Sequence, residues 1–281
     1  MWLSLKKRLF AAFIAIILIC IVAIWACLDT GGVPVLNYHQ INDRDHNSLT
    51  VSTTEFDQQM KYLKDNGYHT ITPAELMDWA QNGTPLPDKP VVITLDDGYI
   101  DNYEEAYPIL KKYNLKATIF VITDFVGVYP NYLTWDTISE MHQSGLIDIE
   151  SHTLSHEELN KAPSTEELDK QLKESRKALE WRLNKTVDFI AYPCGSDSPE
   201  VLERTKLAGY RGAFTVDYGL VQQDERAYAM DRVPIFGCMP NEMRRFKARL
   251  RLTRIFAPLS KLQRNLYDSG HDKLANLIPV P

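Results

Sequence analysis

Cysteine is scarce in this sequence, which has only four cysteines in 281 residues. Cys20 and Cys27 lie within one apolar run, whereas Cys194 and Cys238 stand apart in the rest of the chain. So few cysteines do not form the framework of a disulfide-stabilised scaffold. For Cys194 and Cys238, the sequence leaves open both a disulfide bond and two reduced, packed thiols.

The chain also has no overall positive charge, and its net charge is −6. Residues 29–240 hold 19 basic and 34 acidic side chains, a net charge of −15, whereas residues 241–281 have a net charge of +6. The acidic body argues against a nucleic-acid substrate. The basic C-terminal segment has apolar residues between its cations, so it can lie on an anionic membrane, bind an anionic polymer or dock on the acidic body.

Residues 9–28 lack charged side chains altogether, and three basic residues precede them at positions 6–8. Twenty apolar residues are enough for a helix to cross a membrane, and the basic flank stays in the cytoplasm. The apolar region of a cleaved signal peptide is shorter, about 7–15 residues. The sequence therefore predicts a cytoplasmic tip (1–8), a single transmembrane helix (9–28), a main domain outside the cytoplasmic membrane (29–240) and a basic C-terminal segment (241–281).

The main domain alternates between strand-like and helix-like segments about seven times, without internal repeats or low-complexity tracts. Its strands are short and rich in β-branched residues, as in Val91–Leu95, and helices begin at capping residues such as Ser164. This alternation is typical of an α/β fold with a parallel sheet. A closed barrel is the simplest such arrangement, and an open doubly wound sheet is the alternative.

Two adjacent carboxylates, Asp96 and Asp97, follow the apolar strand Val91–Leu95, and Gly98 then allows the chain to turn. A continuous β-branched run suits a strand that is buried on both faces. Active sites of parallel barrels lie where the strands end. Because neighbouring carboxylates repel, they need a proton or a cation between them. A solvated turn is the alternative interpretation.

A second strand-like segment, Ile147–Ser151, is followed by His152 and His156. If the chain coils helically after His152, a spacing of four residues places both imidazoles on one side. Two imidazoles and one carboxylate make a three-ligand site with an open position, as in catalytic zinc sites. A pair of surface histidines is the alternative.

Together, Thr94-Leu95-Asp96-Asp97-Gly98 and Ser151-His152-Thr153-Leu154-Ser155-His156 resemble the first two motifs of the polysaccharide deacetylase family (carbohydrate esterase family 4, NodB-like domain). The resemblance extends from about Val33 to Phe236. It implies an irregular (β/α)7 barrel. It also implies a divalent metal ion, Zn²⁺ with Co²⁺ or Ni²⁺ as alternatives, held by Asp97, His152 and His156, with Asp96 as the general base.

The segment Ala191-Tyr192-Pro193-Cys194-Gly195 resembles the third motif of the family, Arg-x-Pro-Tyr-Gly. In that motif the backbone N–H after the proline faces the oxyanion, which assigns this role here to the amide of Cys194. The family arginine, which orients the catalytic aspartate, falls at Ala191. We expect Arg232, on the next predicted strand, to supply the missing guanidinium.

Three further residues are expected to contact the substrate: Tyr192, Pro193 and Trp135. The two aromatic rings could stack on sugars, and packing in the core is the alternative for both. The family's last motif, Leu-x-His, is absent near the C-terminus, where His271 lies in a polar turn. His39 ends the first predicted strand and is therefore the candidate general acid. This order resembles the subgroup that deacetylates poly-N-acetylglucosamine during biofilm formation.

The resemblance predicts a membrane-anchored, metal-dependent hydrolase that removes N-acetyl groups from an extracellular amino-sugar polysaccharide, either poly-N-acetylglucosamine or cell-wall peptidoglycan. Its expected partners are the acetylated polysaccharide and the cytoplasmic membrane. Two alternatives remain at this point: an O-acetyl esterase acting on xylan-like glycans, and an inactive carbohydrate-binding homologue. The second is disfavoured because a binding module need not keep a base beside the metal ligands.

Overall fold

The computed structural model describes residues 31–223 and 226–278, with only the backbone of Asp268. Its strands, numbered in chain order, are β1 Val35–Tyr38, β2 Gln40–Ile41, β3 Thr50–Val51, β4 His69–Thr70, β5 Pro90–Leu95, β6 Ala117–Val121, β7 Ile147–Ser151, β8 Phe189–Ala191, β9 Gly212–Tyr218 and β10 Met230–Pro234. Its α-helices are α1 Thr53–Asp65, α2 Pro73–Asn82, α3 Tyr107–Tyr113, α4 Trp135–Gln143, α5 Thr165–Leu183, α6 Pro199–Leu207, α7 Glu242–Asp268 and α8 Asp272–Ala275.

Seven strands close into a parallel barrel in the order β1-β10-β9-β8-β7-β6-β5. The ring closes because β1 pairs with β10 on one side, Leu36 opposite Val233, and with β5 on the other, Leu36 opposite Ile93. The predicted (β/α)7 barrel is thus confirmed, and the open sheet is wrong. Strand β4 pairs with the start of β5, and β2 and β3 form a separate small pair.

Five helices, α1, α2, α4, α5 and α6, begin after a serine or threonine whose side chain caps the helix. Thr72 and Glu75 form a capping box at the start of α2, and the Ser164 side chain accepts a hydrogen bond at the start of α5. A π-helical turn, Asn102–Ala106, leads directly into α3. This turn follows the Asp-Asp-Gly segment, and π-helical turns are frequent near functional sites.

Side chains alternate between the barrel interior and the helix-covered exterior, as the two-residue period of a strand requires. On β5, Val92 lies in the inner apolar cluster, whereas Ile93 and Leu95 lie in the outer one. Leu36 and Tyr38 of β1 also face the outer cluster. Asn37 and His39 are therefore on the inner face of their strand, as Asp96 is on the continuation of β5.

The predicted transmembrane helix, residues 9–28, lies outside the described residues. Within the described part of the chain, no helix is both long enough and apolar enough to span a membrane.

The first half of α7 docks on the barrel through Phe246 and Leu250, which are buried. Cys194 and Cys238 are free thiols in exposed positions, so they form no disulfide.

Candidate active site

Asp97, His152 and His156 converge at the carboxyl ends of β5 and β7. Oδ1 of Asp97 lies 3.3 Å from Nε2 of His152 and 3.3 Å from Nε2 of His156. The three side chains form a group whose ligating atoms all lie within 4.8 Å of one another. Asp97 and His152 are buried, whereas the His156 side chain is 33% exposed. The cluster therefore has a closed side and a side open to solvent.

The local backbone that presents these ligands is not helical. Asp97, Thr153 and His156 have φ values of 74°, 67° and 63°, all in the left-handed region that non-glycine residues rarely adopt. The predicted helical turn between His152 and His156 is therefore wrong, and a turn of the loop brings the rings together instead. Such strained positions persist where the surrounding structure holds them, which is common at functional sites.

The donor set fits a divalent cation. Nδ1 of His152 lies 2.8 Å from the carbonyl oxygen of Ala191, so it carries the proton and Nε2 has a free lone pair. Oδ1 of Asp97 is buried and accepts no hydrogen bond from the part of the chain that the structure describes. Around a tetrahedral ion with bonds of about 2.0–2.1 Å, ligand atoms lie about 3.3–3.4 Å apart, which agrees with the 3.3 Å from Oδ1 of Asp97 to each imidazole nitrogen.

Charge is distributed around Asp97 to keep it ionised. Burial raises the pKa of this carboxyl, but the adjacent imidazoles of His152 and His156 outweigh it and hold the pKa well below its usual range. A bound cation acts in the same direction. Asp97 is therefore held as a carboxylate, the form that a metal ligand requires.

Asp96 lies behind this cluster, fully buried, and is held by three hydrogen bonds. Arg232 donates from Nη1 to Oδ1 and from Nη2 to Oδ2, both at 2.7 Å, and Asn37 donates to Oδ2 at 3.0 Å. Burial raises the pKa of Asp96, but the charges of Arg232, His152 and His39 and the hydrogen bonds from Arg232 together outweigh it, so the pKa is lowered. Oδ2 thus accepts two bonds and Oδ1 only one, so Oδ1 keeps a lone pair for a proton.

Arg232 reaches Asp96 across the barrel interior from β10. It is completely buried, and its Nε donates to the carbonyl oxygen of Thr215 at 2.7 Å. The bidentate geometry fixes both the position and the plane of the carboxylate. The structure thus places Arg232 where a guanidinium was expected, and its part in catalysis stays a prediction.

Cys194 lies in the turn Pro193–Gly195 at the end of β8, with a left-handed φ of 56°. The two hydrogen bonds of this turn use the amides of Gly195 and Ser196 and not that of Cys194. Backbone donors of this kind are suited to an oxyanion because they need no reorganisation when charge develops. The oxyanion role of the Cys194 amide stays a prediction.

His39 follows β1 on the inner face of the strand. Burial lowers its pKa, and the carboxylates of Asp96 and Asp97 only partly offset this effect. Its Nδ1 is buried and has no hydrogen-bond partner among the described residues. Because the charges of Asp96 and Asp97 both act on the His39 ring, the ring lies near both carboxylates. A general acid in this site must lie there.

The structure corrects one predicted substrate contact. Tyr192 is fully buried on the outer face of the barrel, where its hydroxyl lies 3.2 Å from Oγ1 of Thr205 and donates to the carbonyl of Tyr228 at 3.1 Å. A buried ring cannot stack on a sugar. Trp135 packs against the outer core with the Arg182 guanidinium 5.1 Å from its ring centroid, so a cation–π contact already occupies it. Substrate contacts of Trp135 and of Pro193, which is buried, stay predictions.

Sequence reasoning missed two parts of the site. Asn37 holds Asp96, and its position two residues before His39 was the available signal, because strand residues two apart share a face. Tyr99 and Tyr132 lie beside Asp97 with their rings stacked at 4.9 Å between centroids. Only the folded loop brings Tyr132 there, so the sequence held no comparable signal for it.

The barrel and its site have the parts of a metal-dependent hydrolase: a three-ligand cluster, a held carboxylate and a backbone donor. Residues 83–213 match the family described as Polysaccharide deacetylase. YxkH of Bacillus subtilis, named for the same family, is 39% identical over 203 residues, which cover 72% of this chain and 71% of that protein. A poly-beta-1,6-N-acetyl-D-glucosamine N-deacetylase of Staphylococcus aureus is 31% identical over 226 residues, covering 71% of this chain and 77% of that protein.

Among solved structures, the deacetylase PplD of Streptococcus pyogenes in complex with acetate matches with a TM-score of 0.70 and 32% identity, covering 75% of this chain and 94% of that one. The chain belongs to the polysaccharide deacetylase family, so the predicted resemblance is confirmed. Members of this family are metal-dependent hydrolases that act on carbon–nitrogen bonds.

Proposed function

We propose that this chain is an N-deacetylase of extracellular poly-N-acetylglucosamine that works with a divalent ion, most simply Zn²⁺. The observation that carries the proposal is the division of the site into an Asp97–His152–His156 cluster and a separately held Asp96. The similarity to the staphylococcal poly-beta-1,6-N-acetyl-D-glucosamine N-deacetylase supports the choice of polymer. The position of His39 directly after the first barrel strand supports it as well.

Asp97, His152 and His156 would hold the ion, which when bound lowers the pKa of water and polarises a carbonyl group. The chain's own residues then handle the protons. Oδ1 of Asp96 accepts a proton from the attacking water while Arg232 keeps its carboxylate in place. The developing negative charge on the acetyl oxygen receives a hydrogen bond from the Cys194 amide. His39, after taking up a proton from solvent, donates it to the departing amine, and a pKa lowered by burial favours this donation.

Acetate release from defined substrates tests this proposal. The purified chain, loaded in turn with Zn²⁺, Co²⁺ and Ni²⁺, is offered poly-β-1,6-N-acetylglucosamine, peptidoglycan fragments and O-acetylated xylan. We expect acetate from the N-acetylated polymer and none after chelation. Release from xylan alone would instead identify an O-acetyl esterase. Release from no glycan with any metal would indicate a carbohydrate-binding homologue.

Membrane anchoring is part of the proposal and is supported by the sequence of residues 9–28. A single-pass helix there, with residues 1–8 in the cytoplasm, would hold the catalytic domain at the outer side of the cytoplasmic membrane. Extraction of membranes at alkaline pH tests the anchor, since an integral protein stays in the pellet. Protease added to intact cells from which the wall has been removed should digest the catalytic domain. Protection from the protease would contradict the proposed orientation.

A further inference from the structure

Four aromatic rings lie together on the segment that follows the Asp-Asp-Gly turn and on the loop between β6 and α4. We call this set, Tyr99, Phe125, Tyr129 and Tyr132, the aromatic platform. The Tyr99 and Tyr132 rings stack with centroids 4.9 Å apart, and Phe125 meets Tyr132 edge-on at 4.9 Å. Tyr129 meets Phe125 edge-on at 5.1 Å. The four rings therefore form one contiguous cluster.

The backbone ties the aromatic platform to the metal cluster. Tyr99 and Tyr132 form an antiparallel bridge, and the N–H of Leu133 donates to the carbonyl of Gly98 at 2.9 Å. Gly98 directly follows Asp97, so the loop is attached to the turn that presents this ligand. The platform is thus a fixed wall of the site rather than a separate surface.

The outer end of the platform, at Tyr129, is not buried against the rest of the protein, so packing in the core does not explain why an aromatic ring is there. Tyr129 is 49% exposed and Val128 beside it is 66% exposed. A tyrosine ring offers a flat apolar face and a polar hydroxyl edge. The pyranose rings of an uncharged polysaccharide have the complementary pattern, with apolar C–H faces and hydroxyl edges. A neutral glycan therefore fits this surface better than a charged polymer.

We infer that the aromatic platform binds a sugar ring of the polymer next to the residue being deacetylated, with Tyr129 as the outermost contact. The inference rests on the proposed function. It assigns sugar stacking to residues other than Tyr192. If it holds, affinity for an oligomer depends on the Tyr129 ring. Hydrolysis of a small acetyl ester, which has no second sugar, does not depend on that ring.

Calorimetric titration of the Zn²⁺-loaded full chain with a β-1,6-linked N-acetylglucosamine pentamer tests this inference. Tyr129→Ala is expected to weaken the affinity about 3–10-fold, the size of one lost aromatic contact. Tyr129→Phe keeps the ring and should stay within about twofold of the wild type. Val128→Ala, which changes an exposed aliphatic residue of the same loop, is the matched control. Hydrolysis of 4-methylumbelliferyl acetate should be unchanged in all three variants.

The outcomes separate this inference from the proposed function. Equal pentamer affinity in Tyr129→Ala and the wild type overturns the inference and leaves the function standing. Ring-dependent binding without acetate release overturns the function and leaves the inference standing. A loss of ester hydrolysis in Tyr129→Ala as large as its loss of pentamer affinity also overturns the inference. No pentamer binding by the wild type contradicts both.

Discussion

Asp96 and Asp97 are neighbours in the chain, yet their carboxylates have opposite surroundings. The barrel interior behind Asp96 supplies three donated hydrogen bonds, two from Arg232 and one from Asn37. The barrel mouth around Asp97 leaves Oδ1 without a hydrogen bond, between two imidazoles. The comparison shows how adjacent groups of one residue type receive different tasks from their environment. Donors orient the Asp96 carboxylate for a proton, whereas Oδ1 of Asp97 faces the two imidazoles and suits a cation.

Removing the carboxylate at the mouth should have the largest effect. Asp97→Ala loses a metal ligand, so acetate release should fall at least about 10⁴-fold. Elemental analysis of the purified variant should find no stoichiometric metal. Asp124→Ala, which removes an exposed carboxylate near the same mouth, is the control and should keep both metal and activity. An Asp97→Ala protein with one tightly bound ion per chain would contradict the assignment.

Neutralising the interior carboxylate should lower activity without changing metal content, which would distinguish the role of Asp96 from that of Asp97. Asp96→Asn keeps the shape of the side chain but cannot accept the proton, so kcat should fall about 10²–10⁴-fold. The metal content should stay at that of the wild type, because Asp96 lies outside the ligand cluster. Loss of the ion together with activity would show that both carboxylates bind the cation. The proposed division of roles between Asp96 and Asp97 would then be wrong.

The guanidinium behind Asp96 should matter for stability. Arg232→Met leaves a buried carboxylate without its main partner, which should lower the free energy of unfolding by about 3–5 kcal/mol. The double variant Asp96→Asn/Arg232→Met removes the unpaired charge and should recover part of this loss. Denaturant unfolding of the single and double variants measures both effects. Strictly additive losses would mean that the pair is not coupled.

The smallest effect is expected at Asn37. Asn37→Ala removes one of the three donors to Asp96 and leaves the bidentate Arg232 contact, so kcat/KM should fall about tenfold. Asn82→Ala, at an exposed position at the end of α2, controls for nonspecific effects. A loss as large as that of Asp96→Asn would mean that Asn37 itself contacts the reacting groups.

The metal cluster was predictable from the sequence because each ligand follows a strand that is recognisable on its own. Asp97 follows a continuous β-branched run, and His152 follows Ile147–Ser151. Parallel strands end at one mouth of a barrel, so the ligands had to be near one another. The parallel sheet followed from the strand–helix alternation, and the seven-unit barrel from the resemblance to the family. The left-handed turn at Thr153 and His156 could not be predicted, since neither residue type favours that conformation.

Which face of a strand a given residue occupies was harder to predict than where the strand lies. Tyr192 ends a strand next to a proline, which favoured a place in the mouth, but Ile190 and Tyr192 share the outer face while Ala191 faces inward. A shift of one residue exchanges the two faces, so short strands such as β8 leave this choice weakly specified. Arg232 was predictable only because the family pattern has a gap at Ala191. The inward position of Ala191 agrees with a guanidinium reaching the same interior from β10.

Anomalous scattering from crystals of the zinc-loaded protein tests the central claim most directly. The account predicts one strong peak per chain, about 2.0–2.2 Å from a carboxylate oxygen of Asp97 and from Nε2 of both His152 and His156. Asp96 should lie outside the coordination sphere, still bound to Arg232. A peak coordinated by Asp96, or no peak among these three ligands, would contradict the account.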